Sequence, residues 1–212
     1  MGKTERTKKK EILSEAEKKR LERFEGISDD MTKQGYTRHD LTINMGKANL
    51  FAVLLLIPLA VIGFGLYYLV NHGLEWRRIN FLILLVALIM LIVAHELIHG
   101  LSWSLFTPGR FKDVEFGILR SSLTPYCACL VPLKKAHYFF GSVMPLVILG
   151  IIPMIIGIVI GNPLILFLGI IMADSAAGDL MIIARLLGYK SSAEEIIYMD
   201  HPTQAGGVVF ER

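Results

Sequence analysis

Two histidines and a glutamate form the pattern His95-Glu96-x-x-His99. A four-residue step on an α-helix turns about 400°, so the two imidazoles emerge about 40° apart and one turn above each other, where they can bind one metal ion. Glu96 leans to the same side and can act as a general base on water activated by that ion. The pattern therefore predicts a catalytic Zn²⁺ site with His95 and His99 as ligands and Glu96 as the proton acceptor.

The pattern stands directly after an apolar run, residues 81–94. Ionisable side chains near bilayer depth are costly and are functional by default, which favours a metal site over a chance match. A catalytic zinc ion needs a third protein ligand and keeps its fourth position for water. Asp174 and Asp179 lie in a later apolar run and are the candidates.

Depth along the predicted helices separates these two aspartates. Counted from the predicted outer ends of their helices, His95 and His99 lie 15 and 19 residues in, and Asp179 lies 17 residues in. Asp174 lies only 12 residues in, which puts it about 7.5 Å nearer the outside at 1.5 Å per residue. We therefore expect Asp179, and not Asp174, to be the third ligand.

The composition indicates a membrane protein. Hydrophobic residues make up 53% of the 212 residues and charged residues 19%, against about 25% charged in an ordinary soluble domain. The net charge of +3 comes with neither aromatic-basic interleaving nor a nucleic-acid motif, so it excludes nucleic acid as a partner and favours phosphate headgroups. The lipid bilayer is the expected partner.

Four apolar runs are long enough to cross a bilayer, which takes about 20 helical residues. The segment between the second and third runs is rich in Gly and Pro and has two β-prone stretches, which is typical of a hairpin. The predicted fold class is an all-α polytopic membrane protein with four transmembrane helices and a small β-hairpin-like insertion between helices 2 and 3. The runs are roughly residues 48–70, 80–106, 138–160 and 162–187.

This pattern divides the chain into three regions. Residues 1–47 form a charged N-terminal segment, residues 48–187 form the membrane core with the insertion at 107–137, and residues 188–212 form a C-terminal tail. Of the 22 Lys and Arg residues, 20 fall on one side of the predicted membrane and only Arg77 and Arg78 on the other. The positive-inside tendency then predicts a multi-pass protein of the cell membrane with both termini cytoplasmic.

Short elements are expected outside the membrane core. Residues 37–45 alternate as a strand does and can pair with a later strand. Two capping-box patterns at Ser191 and Ser192 predict a short helix through residues 196–199. Residues 206–210 can add a strand beside the hairpin or a bound peptide.

The cysteines Cys127 and Cys129 are too few for a disulfide framework. Their Cys-x-Cys spacing also suits one tetrahedral metal site poorly, and no second pair exists. We expect them to pack in, or to stabilise, the hairpin.

The chain resembles the site-2 protease class of intramembrane metalloproteases and, more closely, a zincin peptidase family of bacterial membrane proteins. The resemblance covers roughly residues 36–205. It implies a zinc-dependent endopeptidase whose substrates are membrane proteins or peptides, embedded in or adjacent to the bilayer. The features that carry it are the His95-Glu96-x-x-His99 helix, the β-like insertion with Tyr126-Cys127, a helix with Gly141 and Pro145, Gly178-Asp179, and the Asp200-His201-Pro202 end.

Two other functions are compatible with the same residues. One is a non-enzymatic membrane protein with a structural or regulatory zinc site, and the other is a transporter or assembly factor, although paired interrupted segments and inverted repeats are not evident. Glu96 separates catalysis from a structural site. A structural site closes its coordination sphere and needs no free carboxylate beside the metal, whereas hydrolysis needs an open position and a base.

Overall fold

The structure is a computed structural model that describes residues 15–74, 81–119 and 124–212. Helices dominate it, and two small antiparallel sheets accompany them. The helices are α1 (Glu15–Lys33), α2 (Met45–Asn71), α3 (Phe81–Ser104), α4 (Lys135–Pro145), α5 (Ile152–Val159), α6 (Pro163–Ser175) and α7 (Ala177–Leu187). The strands are β1 (Thr37–Thr42), β2 (Val114–Leu119), β3 (Thr124–Cys129), β4 (Leu133–Lys134), β5 (Ile196–Asp200) and β6 (Gly206–Glu211).

Three helical stretches of the described residues are long and apolar enough to cross a membrane. They are α2, α3 and the continuous stretch Lys135–Val159, in which a π-helical segment, Leu146–Ile151, joins α4 to α5. Helices α6 and α7 make a fourth span if they are counted together. These helices support the prediction of a membrane protein. The link with Arg77 and Arg78, on which the orientation partly depends, lies outside the described residues.

The single helix predicted over residues 162–187 is broken into two helices that are bent by 41° relative to each other. Helix α6 ends at Ser175 and α7 begins at Ala177, with Ala176 between them at φ −78° and ψ 5°. Gly178 follows at once, and glycine lowers helix propensity by about 1 kcal/mol relative to alanine. The bend places Asp179 in the first turn of a new helix, where the helix dipole favours a carboxylate.

A tight turn between α5 and α6 makes these two helices antiparallel neighbours. Gly161 adopts φ +66°, a left-handed conformation that favours glycine. Asn162 caps α6, because its side-chain oxygen accepts hydrogen bonds from the backbone N–H groups of Leu164 and Ile165. Pro163 occupies the first turn, where its missing N–H leaves no bond unmade.

The fold is not all-α as predicted, because two small antiparallel sheets accompany the helices. Strands β2 and β3 form the expected hairpin, with Phe116 opposite Cys127. The second sheet has the order β1-β6-β5-β4 and joins the N-terminal segment to the C-terminal tail. Residues 206–210 therefore pair with β1 and β5 and not with the hairpin. Non-local pairing of short strands leaves a weak sequence pattern, which is why the all-α prediction missed this sheet.

The predicted short helix over residues 196–199 is wrong, because these residues belong to β5. Strand β5 hydrogen-bonds to β6 on one side and to β4 on the other. Its successive side chains Tyr198 and Met199 enter two different apolar clusters on opposite faces of the sheet. Burial on both faces outweighs the local capping signal.

The four-stranded sheet lies between α1 and the membrane helices. One face packs Phe24 and Met31 of α1 against Phe210 and neighbouring residues. The other face packs Tyr198 and Val209 against buried residues of α3, α4 and α7. The N-terminal segment and the C-terminal tail thus form a folded layer against one end of the helices. The residues of that second cluster are Trp103, Val114, Cys129, Leu133, Tyr138, Leu186, Tyr198 and Val209.

Candidate metal centre

Three donor atoms from two parts of the chain converge at the second half of α3. His95 Nε2 lies 3.2 Å from His99 Nε2 and 3.2 Å from Asp179 Oδ2, and His99 Nε2 lies 3.4 Å from the same oxygen. Ligands held at about 2.0–2.1 Å around a tetrahedral ion are about 3.3–3.4 Å apart, so these atoms fit Zn²⁺. Two imidazoles and a carboxylate are also a zinc donor set. Of the described residues, these three form the group that could hold a metal ion.

The orientation of His99 depends on α4. His99 Nδ1 lies 2.9 Å from the carbonyl oxygen of Gly141, and donation of its N–H there leaves the Nε2 lone pair for a metal. The Gly141 carbonyl is free because residue 145, its partner in a regular helix, is Pro145 and has no N–H. A Cβ at Gly141 would lie 2.1 Å from the Trp103 ring, which stacks on His99 with centroids 5.1 Å apart. The Gly-x-x-x-Pro spacing was the sequence signal for this arrangement.

Ser175 gives His95 a similar support. The Ser175 hydroxyl donates to the carbonyl oxygen of Met172 at 2.8 Å and lies 3.4 Å from His95 Nδ1. Its lone pair can therefore accept the Nδ1–H of His95, which leaves Nε2 facing Asp179. Sequence reasoning missed Ser175, because its position at the end of α6 becomes meaningful only once the helix bends.

The two candidate aspartates occupy different environments. Asp179, on α7, contributes Oδ2 to the donor group. Asp174, on α6, lies outside the group, and its buried Oδ1 has no hydrogen-bond partner among the described residues. The structure thus brings together the three residues that the sequence proposed as ligands and leaves Asp174 apart.

Glu96 lies beside the donor group without belonging to it. Its half-buried side chain lines a cavity of about 220 Å³ that His95, His99 and Asp179 also line. The backbone N–H of Cys127 on β3 faces the Glu96 carboxylate. The arrangement therefore has three ligand atoms, an open cavity next to them and a carboxylate at the cavity wall.

A second half-buried carboxylate, Asp200, lines the same cavity and was not expected as a site residue. The Tyr138 hydroxyl donates to Asp200 Oδ1 at 2.5 Å, and the Cys129 backbone N–H donates to Oδ2 at 2.7 Å. Burial raises the pKa of Asp200 to about 6, against the opposite effect of these two hydrogen bonds.

The two cysteines are free thiols in the hairpin, as the sequence predicted for unpaired residues. Cys129 is buried in the apolar cluster beneath the sheet, and Cys127 packs against that cluster. Burial raises the pKa of both thiols, that of Cys129 to about 12, so both stay protonated at neutral pH. Neither belongs to the donor group.

Arg20 of α1 connects the two walls of the cavity. Its Nε donates to the carbonyl oxygen of Pro202 at 2.5 Å, and its Nη1 donates to Glu115 of the hairpin at 3.2 Å. The guanidinium also lies 4.6 Å from the centroid of the Tyr126 ring. The side chain is 5% exposed, so this charge is held inside the folded layer.

Comparison with known proteins supports a metallopeptidase assignment for this site. The search of curated proteins and the search of solved structures each returned no match. The model of a family described as "putative zincin peptidase" matches residues 88–193, which is half of the chain and includes Glu96 and the three donor residues. The chain therefore belongs to this zincin peptidase family, and the family indicates a zinc metallopeptidase.

Proposed function

We propose that this protein is a zinc-dependent intramembrane endopeptidase, related in type to the site-2 proteases, that hydrolyses peptide bonds of membrane-embedded or membrane-adjacent substrates. The observation that carries the proposal is the triangle of His95 Nε2, His99 Nε2 and Asp179 Oδ2, with sides of 3.2–3.4 Å, at the wall of a cavity that also exposes Glu96. A closed structural site would have no use for that cavity or for the carboxylate.

Each residue has a distinct role in this proposal. His95, His99 and Asp179 hold the ion, which when bound supplies an electrophile that activates water and polarises the scissile carbonyl. Glu96 accepts the proton of the attacking water and returns it to the leaving amine. The Cys127 N–H faces the Glu96 carboxylate, while the Gly141 carbonyl and the Ser175 hydroxyl keep the two imidazoles turned towards the ion.

The position of the site along α3 suggests where substrates are cut. His95 and His99 lie 14 and 18 residues after Phe81, or about 21 and 27 Å along the helix, in a hydrocarbon core about 30 Å thick. The site is therefore near one boundary of the bilayer, next to the hairpin and the four-stranded sheet. We infer that the scissile bond lies near that boundary, in or beside a membrane-spanning segment.

The charge asymmetry assigns that boundary to the cytoplasmic side, with both termini cytoplasmic. Ser192 and Leu74 are exposed residues on opposite predicted sides. A membrane-impermeant maleimide on intact cells is expected to label Leu74→Cys and to spare Ser192→Cys, measured against the wild type with its native cysteines. Labelling of Ser192→Cys alone would invert the orientation.

The test of the peptidase is Glu96→Gln, because glutamine keeps the shape of glutamate but cannot accept a proton at neutral pH. Purified wild type, Glu96→Gln and the exposed control Glu22→Gln are reconstituted with membrane proteins from cells lacking this protein. Zinc content and newly formed peptide termini are then measured. We expect equal zinc in all three, and new termini with wild type and Glu22→Gln only. The same termini with wild type and Glu96→Gln would contradict the proposal.

A further inference from the structure

Two carboxylates face the edge of β3 that does not pair with β2. Residues 127 and 129 are two positions apart on this strand, so their backbone N–H groups point to the same edge. The Cys127 N–H faces the Glu96 carboxylate, and the Cys129 N–H donates a hydrogen bond to Asp200 Oδ2 at 2.7 Å. The position of the proposed base is thus tied to a strand whose neighbouring amide is anchored by Asp200.

The other oxygen of Asp200 reaches the helix that orients His99. The Tyr138 hydroxyl donates to Asp200 Oδ1 at 2.5 Å, and Tyr138 belongs to the first turn of α4. The Tyr138 carbonyl oxygen accepts the Trp103 indole N–H at 3.0 Å, and that ring stacks on His99. One turn later on α4, Gly141 accepts the hydrogen bond from His99.

We propose that Asp200, at the end of β5, is a positioning residue that couples the strand holding Glu96 to the helix orienting His99. The inference has two halves. Its catalytic half, the positioning of Glu96, rests on the proposed peptidase function. Its metal half, the orientation of His99, rests on the metal site alone. Asp200 suits the role because both of its carboxylate oxygens accept hydrogen bonds and its half-buried side chain lies at the cavity wall. It comes from the C-terminal sheet, outside the stretch that the zincin peptidase family covers.

Zinc affinity of the purified full chain, measured by competition with a chromophoric chelator, tests the metal half. Changing an outer partner of a metal ligand costs about 10–100-fold in metal affinity or activity. We expect a loss of this size in Asp200→Asn and in Tyr138→Phe, and none in Asp40→Asn. Asp40 is the matched control, because it is an aspartate of the same sheet that is exposed and pairs with Arg38 on the surface.

A double-variant cycle separates positioning from general damage. Asp200→Ala and Tyr138→Phe both remove the hydrogen bond between the two side chains, so the double variant should lose about as much zinc affinity as Asp200→Ala alone. Tyr138→Phe removes only the hydroxyl and keeps the buried ring, so its zinc affinity alone tests the metal half if Asp200→Asn fails to fold. Wild-type zinc affinity in Tyr138→Phe overturns the proposal in either case.

The catalytic half is tested by measuring kcat and KM on a substrate that the Glu96→Gln comparison has identified. We expect Asp200→Asn at saturating zinc to lower kcat and to leave KM unchanged, since both oxygens of Asp200 accept hydrogen bonds from the protein itself. Unchanged kcat in a folded Asp200→Asn overturns this half of the inference. Full cleavage by Glu96→Gln would instead overturn the proposed function, and the zinc-affinity result would stand independently of it.

Discussion

Helix α3 has two halves that meet different surroundings. The first half, from Phe81 to Val93, is apolar and turns most of its large side chains outward; Phe81 is 77% exposed and Met90 63% exposed. The second half contains His95 and His99, which are buried with 6% and 3% exposure. The usual arrangement of soluble proteins, with apolar side chains inside and ionisable ones outside, is thus inverted along one helix.

The inversion follows from the two solvents of a membrane protein. In a bilayer, lipid would surround the first half, and apolar side chains there would need no protein contact. The second half packs against α4, the hairpin and the bent end of α6, where every imidazole N–H finds an acceptor. Only protein can satisfy ionisable groups at this depth, and it does so where the chemistry is proposed.

The largest effect expected from this comparison concerns the carboxylates on either side of the helix bend. Asp179→Ala removes one of three ligands, so bound zinc should fall from about one ion per chain to a small fraction of that. Asp174→Ala removes a carboxylate outside the donor group and should leave zinc unchanged. Metal analysis of the two purified variants decides the matter. Zinc retained in Asp179→Ala and lost in Asp174→Ala would show that Asp174, and not Asp179, is the third ligand.

The next largest effect is on stability, and it compares a glycine packed between helices, Gly141, with an exposed glycine, Gly65. At Gly141 a Cβ would lie 2.1 Å from Trp103, whereas at Gly65, on the lipid-facing side of α2, nothing lies within 4 Å. Gly141→Ala should therefore destabilise the protein by about 1–3 kcal/mol or more through overpacking, and Gly65→Ala should be neutral or slightly stabilising. Thermal unfolding in the same detergent measures both. Equal melting temperatures would show that α3 and α4 are not packed tightly here.

The smallest effect concerns the layer that covers the site. Arg20→Met should destabilise the docking of α1 by about 1–2 kcal/mol, because Pro202 and Glu115 lose their hydrogen bonds and Tyr126 loses a cation–π contact. Limited proteolysis within α1 and thermal unfolding measure it. Lys33→Met is the control on the same helix, since Lys33 pairs with Asp30 in full solvent exposure and should change neither. Equal proteolysis of the two variants would refute this role of Arg20.

Local patterns were sufficient for several features of this protein. Long apolar runs predicted the membrane helices, because a span must satisfy its own backbone hydrogen bonds and needs only length and hydropathy. The His95-Glu96-x-x-His99 spacing placed three side chains on one side of a helix, because that depends on helical geometry alone. Depth counting favoured Asp179 over Asp174, and an oxygen of Asp179 lies with the two imidazoles in the structure.

Other features required the tertiary structure, because they join residues far apart in the chain. The four-stranded sheet pairs β1 with β6 across more than 150 residues and β4 with β5 across more than 60, so the capping signals before residues 196–199 favoured a helix where a strand forms. The support of His95 by Ser175 appears only after α6 ends and α7 turns away. The link from Asp200 through Tyr138 to the helix beside His99 has no local signature at all, because hydrogen bonds between distant segments leave no periodicity in a single sequence. The sequence by itself determined the proposed metal-binding pattern and the membrane-spanning helices that carry it. Which groups orient that pattern was decided by three-dimensional packing.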